Sequence, residues 1–294
     1  MDKYKLKKSS IIHKLIENDL YNFVIPYTKL IDIRYFIEKK IEEYGNKYNA
    51  KIAFPVGLSL NNCAAHFSPF RESTIEYTDK DILKIDYGIH IDGNIIDSAF
   101  SITHNYELKK LKDISLEATN GALKLAGIDS HLGDMGELIE EIITSYEIEI
   151  QGKIYNINCC RDLCGHQILP YKIHGNKVVP NIKISYNERM LENEVYAIET
   201  FPTTGKGILI SDKENNSHYM IDYNSNFLFK NSIVNDVYNK FNTLAWHIEW
   251  LDIQKNSIDK NKYINSYPPL YDINNSYIAQ TEKTVYIGEK KIIF

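Results

Sequence analysis

A short segment rich in β-branched residues, KIDYGIHIDGNIIDSAF at positions 84–100, constrains the fold more than any other part of the sequence. Two apolar runs, 82–91 and 95–101, flank Asp92-Gly93-Asn94. Alternating apolar residues around an Asp-Gly pair favour a β-hairpin. The segment therefore predicts two antiparallel strands joined by a tight turn, with Asp92 as a turn residue.

The register of this hairpin decides where its other aspartates point. With a two-residue loop, Asp86 lies opposite Ala99 and Asp97 opposite Gly88. Cross-strand partners share a face, so the two carboxylates become diagonal neighbours with Cα atoms roughly 7–8 Å apart. A three-residue loop or a bulge would break this parity. Apolar residues occupy the other face: Ile85, Tyr87, Ile89, Ile91, Ile96 and Phe100.

Two carboxylates that converge beside an apolar ribbon repel each other unless a proton or a cation lies between them. A metal site is one interpretation, and a pair of solvated aspartates on an exposed hairpin is the other. Further acids and histidines stand in apolar settings at strand or turn positions: His66, His166, His174, Glu199 and Glu282. Such residues are costly to bury unpaired, and together they favour the metal.

Composition limits the partners and the compartment. With 294 residues, 44% of them hydrophobic, the chain can bury the core of one large α/β domain or of two smaller ones. Its net charge of −5 argues against nucleic acid or a membrane surface as the main partner. No apolar run approaches the ~20 residues of a membrane span. The start, MDKYKLKKSS, lacks a secretory signal, and four cysteines suit reduced thiols, so a cytoplasmic protein is expected.

Helical patterns precede the hairpin. Residues 9–46 predict two helices, the first capped by Ser9 or Ser10 and separated from the second by Pro26. Both helices carry an apolar stripe that indicates packing against the core.

A change of composition marks a later segment. Between 212 and 266 the sequence shifts towards Asn, Lys and Tyr around one helical stripe over 234–251. A strand pattern resumes at Ser276, which indicates that 212–266 is a helical lobe inserted into a single domain spanning 1–294.

Five segments closely resemble, in order, the signature blocks of type 2 methionine aminopeptidases of peptidase family M24: FPVGLSLNNCAAHFSP, LKIDYGIHIDGNIIDSAF, GHQILPYKIHGNKVVP, ENEVYAIETFPTTGKG and PPLYDINNSYIAQTEKT. The resemblance runs from about Phe54 to the C-terminus. It implies an α+β fold, the pita-bread fold, in which a curved antiparallel sheet is backed by helices in two pseudo-symmetric halves. The inserted lobe, shortened here, is characteristic of type 2 enzymes.

The resemblance also implies a metal centre. It has two divalent ions, which the sequence does not identify among cobalt, manganese, iron and zinc. Asp86 would bind one ion, His166 and Glu199 the other, and Asp97 and Glu282 would bridge both. Two ions about 3.5–4 Å apart lower the pKa of a bridging water, so that hydroxide attacks the scissile carbonyl at neutral pH.

The implied activity is removal of the initiator methionine from nascent chains that have a small penultimate residue. In the family, the histidine matching His174 contacts the scissile carbonyl, the one matching His66 lies against the substrate, and Glu199 would accept a proton. The residues that fall near the methionine pocket by resemblance are Phe54, Leu163, Ile173, His218 and Tyr267.

Three positions depart from the family pattern. Gln167 follows His166 where serine is usual, and Thr281 and Lys283 flank Glu282 where phenylalanine and histidine are more common. The larger Gln167 side chain would alter how the imidazole is oriented, and a cation beside Glu282 would weaken metal binding.

Two alternatives use the same fold. Catalytically inactive binding proteins have lost metal ligands, whereas all five are present here. X-Pro-specific peptidases usually bring a separate amino-terminal domain, whereas only about fifty residues precede Phe54. The aminopeptidase is therefore favoured, with nascent polypeptide N-termini as partners, the ribosome left open as a second partner, and a monomer expected.

Overall fold

The computed structural model describes residues 1–222 and 232–294. Its α-helices are α1 Lys3–Phe23, α2 Leu30–Gly45, α3 Lys109–Leu125, α4 Leu132–Thr144, α5 Ser232–Phe241 and α6 Lys255–Asp259. Its strands are β1 Lys51–Ile52, β2 Gly57–Leu60, β3 Cys63–Ala65, β4 Ile82–Ile91, β5 Asn94–Thr103, β6 Glu147–Ile150, β7 Lys153–Asn156, β8 Asn158–Cys159, β9 Cys164–Ile168, β10 Val178–Pro180, β11 Val195–Thr200, β12 Pro202–Thr203, β13 Ile210–Ser211, β14 His218–Ile221, β15 Trp246–His247, β16 Ile264–Tyr267, β17 Leu270–Tyr271, β18 Thr281–Tyr286 and β19 Ile292–Ile293. No helix in the described ranges is long and apolar enough to cross a membrane.

Strands β4 and β5 form the predicted hairpin with the predicted register. Asp86 pairs with Ala99 and Asp97 pairs with Gly88. The turn residue Asp92 and the glycine after it have φ values of 48° and 76°. Positive φ at both central residues is what a two-residue hairpin turn of type I′ requires. The two-residue loop is confirmed, and Asp86 and Asp97 therefore share a face.

Helices α1 and α2 cover the apolar face of this hairpin. The core between them consists of buried apolar side chains from all three elements: Ile12, Ile16 and Leu20 of α1, Ile33 and Ile37 of α2, and Ile85, Tyr87, Ile89 and Phe100 of the hairpin. Burial of one such side chain contributes about 1.5–3 kcal/mol. This contribution holds the apolar face inward and leaves the aspartates on the opposite face.

A second antiparallel sheet has the strand order β10-β9-β11-β18-β19. Helices α3 and α4 pack behind it in a separate apolar cluster that includes Leu111, Ile139, Tyr196 and Ile198. Each half of the molecule therefore consists of two helices behind antiparallel strands, in agreement with the α+β prediction.

Side-chain hydroxyls join the two sheets where β5 lies against β18, a contact that we call the β5–β18 seam. The Asp97 N–H donates to Thr284 Oγ1 at 2.8 Å, and that hydroxyl donates to Asp97 O at 2.7 Å. Ser98 Oγ donates to Glu282 O at 2.8 Å. The seam therefore brings Asp97 and Glu282, which are distant in sequence, side by side.

The predicted start of the first helix is wrong. Helix α1 begins at Lys3, and the Asp2 side chain caps it by accepting bonds from two backbone N–H groups of the first turn. Ser9 and Ser10 are buried inside the helix. The Asp2 N–H donates to Asn94 Oδ1 of the hairpin turn at 2.7 Å, a tertiary contact that helix patterns do not reveal. The predicted break between α1 and α2 is confirmed.

The segment 212–266 contains a small sheet, β15-β14-β16, together with α5 and α6. Residues 223–231 of the predicted lobe lie outside the described residues. The helix predicted over 234–251 is shorter in the structure, where α5 ends at Phe241. Ile248 lies in a separate 3₁₀ turn, and its side chain packs in the same apolar cluster as the side chains of α5. Strand β18 follows the lobe and pairs with β11, which precedes it.

The Gly93→Ala substitution tests how the hairpin turn is fixed. A Cβ at Gly93 would lie 2.2 Å from Tyr171 Cδ2, whereas a Cβ at Gly152, in the turn between β6 and β7, would meet nothing within 4 Å. Both glycines have nearly the same positive φ, 76° and 75°. We expect Gly152→Ala to cost about 1–2 kcal/mol of backbone strain. Gly93→Ala is expected to cost a further 1–3 kcal/mol or so from overlap.

Urea unfolding of both variants measures this difference. Equal losses of stability would show that contact with Tyr171 does not constrain the turn.

Candidate metal centre

A cavity lies where both sheets meet the lobe, and its volume is about 690 Å³ when the open space at its mouth is included. All twelve site residues predicted from the sequence line it: Phe54, His66, Asp86, Asp97, Leu163, His166, Ile173, His174, Glu199, His218, Tyr267 and Glu282. Six further residues also line it: Pro55, Gly57, Ala65, Phe201, Met220 and Ala245. Strand alternation would have found Phe201 and Met220, since they lie two positions from Glu199 and His218.

Five strands each present one candidate metal ligand to one wall of this cavity. They are Asp86 on β4, Asp97 on β5, His166 on β9, Glu199 on β11 and Glu282 on β18. Glu199 and Glu282 are direct cross-strand partners. Asp97, His166 and Glu282 offer ligand atoms that all lie within 4.8 Å of one another. The distance from His166 Nε2 to Asp97 Oδ2 is 3.5 Å.

Gln280 links the other two acids to this group. Its Nε2 donates to Asp86 Oδ2 and to Glu199 Oε2, at 3.3 Å each. Sequence reasoning missed this residue, because an amide two residues before a candidate ligand has no distinctive pattern. The five predicted ligands and Gln280 therefore form one polar group in an otherwise apolar wall.

Burial dominates the electrostatics of the group. It raises the pKa of Asp86 to about 7. It also raises the pKa of Asp97, Glu199 and Glu282 well above the ordinary range, and the neighbouring carboxylates raise these values further. Burial lowers the pKa of His166 to about 4. The cluster therefore favours protons or a cation over four free negative charges.

The residues present fit divalent cations. Asp86 Oδ1 and Asp97 Oδ1 are fully buried and have no hydrogen-bond partner among the described residues. Buried carboxylate oxygens without a partner are costly, and a cation would satisfy them. Four carboxylates and one imidazole form a donor set suited to manganese, iron, cobalt or zinc.

Histidine and tyrosine rings line another part of the cavity. The His66 ring centroid is 6.0 Å from those of His218 and Tyr267, and His174 is 6.1 Å from Tyr267. The His174 ring is 4.5 Å from that of His166. Burial lowers the pKa of His66, His174 and His218, so these imidazoles are neutral at pH 7 and act as hydrogen-bond donors and acceptors.

Two of the residues that depart from the family pattern, Lys283 and Gln167, have side chains that point away from the metal centre. Lys283 is adjacent to Glu282 on β18, so strand alternation directs it to the opposite face. The Gln167 side chain donates to Glu194 Oε1 at 2.9 Å and leaves the cavity free. Neither residue therefore brings an ammonium or amide group to the ligands.

Comparison with known proteins gives the family of the chain. The model of metallopeptidase family M24 matches residues 5–233. Methionine aminopeptidase 2 of Saccharomyces cerevisiae is 36% identical over 308 aligned residues, across 97% of this chain and 73% of that protein. A thermophilic Arx1 has a TM-score of 0.83 at 17% identity, covering 100% of this chain and 91% of that one. The methionine aminopeptidase of Thermotoga maritima has a TM-score of 0.71 at 16% identity, and the match covers 100% of this chain and 97% of that one. These likenesses confirm the predicted α+β pita-bread fold.

The raised carboxyl pKa values predict a specific pH dependence for the Asp97→Asn variant without metal. The folded wild type holds a proton on Asp97 at pH values where the unfolded chain does not, so its stability falls as pH rises through that window. The Asp97→Asn variant has no carboxyl at this position, so its stability does not fall in this way as pH rises. Its stability relative to wild type should therefore increase as pH rises above the usual range of a carboxyl pKa, by at most about 1.4 kcal/mol per pH unit.

Thermal or urea unfolding of both proteins in a chelating buffer measures this difference. Removal of the Asp97 carboxyl also weakens the effect that raises the pKa of Glu199 and Glu282, which changes the relative stability in the same direction. Asp92→Asn in the exposed hairpin turn is the matched control and should show no such trend. A constant difference between Asp97→Asn and wild type across the range would contradict the prediction.

Proposed function

The chain belongs to metallopeptidase family M24, and we propose that it is a metal-dependent methionine aminopeptidase of type 2, which removes the initiator methionine from nascent polypeptides. The observation that carries the proposal is the convergence of four carboxyl groups, two of them buried and two half-buried, and one buried imidazole on one wall of a cavity. The 36% identity to a methionine aminopeptidase 2 over nearly the whole chain supports the same activity.

We assign two divalent cations to the five-residue cluster. In this assignment Asp86, Asp97, His166, Glu199 and Glu282 would hold the ions. When bound, such ions polarise a carbonyl oxygen and lower the pKa of coordinated water towards neutrality. Gln280 donates to both Asp86 and Glu199 at 3.3 Å, so one amide orients an acid of each half of the molecule.

Three residues of the chain would act on the substrate. His174 donates a hydrogen bond to the scissile carbonyl oxygen as negative charge develops there, a contact typically worth about 10²–10³ in rate. His66 lines the same cavity and assists proton transfer to the leaving amine. Glu199 accepts a proton from the attacking water. The neutral state of both imidazoles suits these hydrogen-bonding roles.

The apolar part of the cavity would hold the methionine side chain. Phe54, Leu163 and Ile173 line it from the two sheets and their loops, and His218 and Tyr267 line it from the lobe strands β14 and β16. The lobe therefore supplies part of the specificity pocket, which supports the type 2 assignment. The preference for a small penultimate residue is the one that the resemblance to the family implies.

The substrate class also suggests where the protein works. Chains that still carry the initiator methionine are present where proteins are synthesised, so we place the activity in the cytoplasm. One chain supplies every cavity residue named above, so a monomer is sufficient for the reaction.

Cleavage of Met-Ala-Ser by purified protein tests the proposal directly. We expect methionine release that depends on added Mn²⁺, Co²⁺, Fe²⁺ or Zn²⁺ and is abolished by Asp97→Asn. An N-acetylated Met-Ala-Ser and an Ala-Pro-Ser peptide are the matched controls, and both should remain intact.

Two results would reject this function. Cleavage of Ala-Pro-Ser but not Met-Ala-Ser would indicate an X-Pro peptidase. Absence of methionine release with every one of these metals would indicate a binding protein on the same fold.

The His174→Ala variant should lower kcat by about 10²–10³ because the developing charge on the carbonyl oxygen loses its donor. Its affinity for Mn²⁺, measured by calorimetry, should stay within about twofold of wild type. His131→Ala, at the start of α4 and outside the cavity, is the matched control and should keep wild-type kcat. A kcat for His174→Ala within about threefold of wild type would exclude the assigned role.

A further inference from the structure

The segment 169–177, which we call the His174 loop, carries two cavity residues, Ile173 and His174. It follows β9 directly and precedes β10, so it starts beside the candidate ligand His166. Two separate sets of contacts hold the loop, one near its beginning and one near its end.

The first set connects the loop to the hairpin and to the lobe. The Tyr171 N–H donates to Gly93 O at 3.0 Å. Thr243 Oγ1 donates to Tyr171 O at 2.5 Å. The Tyr171 ring also fills the space in which a side chain at Gly93 would lie. These contacts fix the loop upstream of Ile173 and His174.

The second set centres on Gln167. Its backbone O accepts from the Gly175 N–H at 2.6 Å, and its backbone N–H donates to Lys177 O at 2.9 Å. Its side chain extends this contact, because Oε1 accepts from the Asn176 N–H at 3.2 Å. Gln167 therefore engages three consecutive residues directly after His174.

The other end of the Gln167 amide is held by a rigid acid. Nε2 donates to Glu194 Oε1 at 2.9 Å, and Lys177 Nζ donates to the same oxygen at 2.7 Å. The second oxygen of Glu194 accepts from Tyr196 OH at 2.6 Å and from the Leu191 N–H at 2.7 Å. Gln167 is buried, and the Lys177 and Glu194 side chains are only 14% and 15% exposed, so the contacts are largely protected from water.

We propose that Gln167 is a positioning residue that fixes His174 for the reaction by bridging the His174 loop to Glu194, without touching the substrate. The inference rests on the proposed function, because His174 acts there on the scissile carbonyl. The amide suits this task because it offers an acceptor and a donor at its two ends. A serine hydroxyl at this position is too short to reach both partners.

A double-mutant cycle between Gln167→Ser and His174→Ala measures the coupling. In the wild-type background we expect Gln167→Ser to lower kcat for Met-Ala-Ser about tenfold with little change in KM, because small misplacement of a catalytic group is costly. In the His174→Ala background the same substitution should change kcat less than about twofold. An equal fold-decrease in kcat on Gln167→Ser in the two backgrounds would overturn the proposal.

The affinity for Mn²⁺ separates this role from an effect on the neighbouring His166. Calorimetry on Gln167→Ser should give a dissociation constant within about twofold of wild type. A loss of metal affinity as large as the loss of kcat would show that Gln167 acts through the metal ligand, and would overturn the proposal.

Exchange of the partners tests the specific contact. Gln167→Glu places two carboxylates together and should lower kcat at least about tenfold. Adding Glu194→Gln restores a donor, an acceptor and the original net charge, and should recover most of that loss. A double variant as slow as Gln167→Glu alone would overturn the proposal.

Amide hydrogen exchange tests the positioning role without reference to activity. In Gln167→Ser the Gly175 and Asn176 amides should exchange about tenfold faster than in wild type, and the Tyr171 amide, held by the first set of contacts, should not change. Unchanged exchange at Gly175 and Asn176 would overturn the proposal even if the wild type releases methionine. Conversely, faster exchange in a wild type that releases no methionine would reject the proposed function but not the bridge.

Discussion

Repulsion among buried carboxyl groups is the constraint on which this structure depends. Asp86 and Asp97 from the first sheet meet Glu199 and Glu282 from the second at one wall of a cavity, where Asp97 and Glu282 are buried and the other two acids are half-buried. Bringing such groups together costs several kcal/mol per unpaired charge. The remaining structure supplies the framework that keeps them together until cations balance their charge.

The framework is continuous from the hairpin to the far wall of the cavity. The β5–β18 seam uses hydroxyl groups of Ser98 and Thr284 to fix Asp97 beside Glu282. The turn of the same hairpin holds Tyr171 and, through it, the His174 loop. A single local element thus positions both the metal ligands and a residue assigned to the substrate.

How far the sequence predicts this arrangement depends on the range of the interactions. Turn chemistry and alternation are local, so the register of Asp86 and Asp97 could be predicted from the hairpin alone. The cap at Asp2 depends on a bond to Asn94, and the role of Gln280 depends on two acids about 80 and 190 residues away. Such contacts leave no periodic signal. The other ligands are recognisable as acids and histidines in apolar settings, but only the resemblance to a family separates them from His66 and His174, because strand alternation shows only which face each residue occupies.

Counting the protons released when Mn²⁺ binds to the metal-free protein tests the central claim most directly. Calorimetry at about pH 6.5 in buffers of different ionisation enthalpy gives this number. If the buried carboxyls hold protons that cations displace, about one proton or more should leave per ion bound, and Asp97→Asn should release fewer. Tight binding of Mn²⁺ with no proton release would contradict the account.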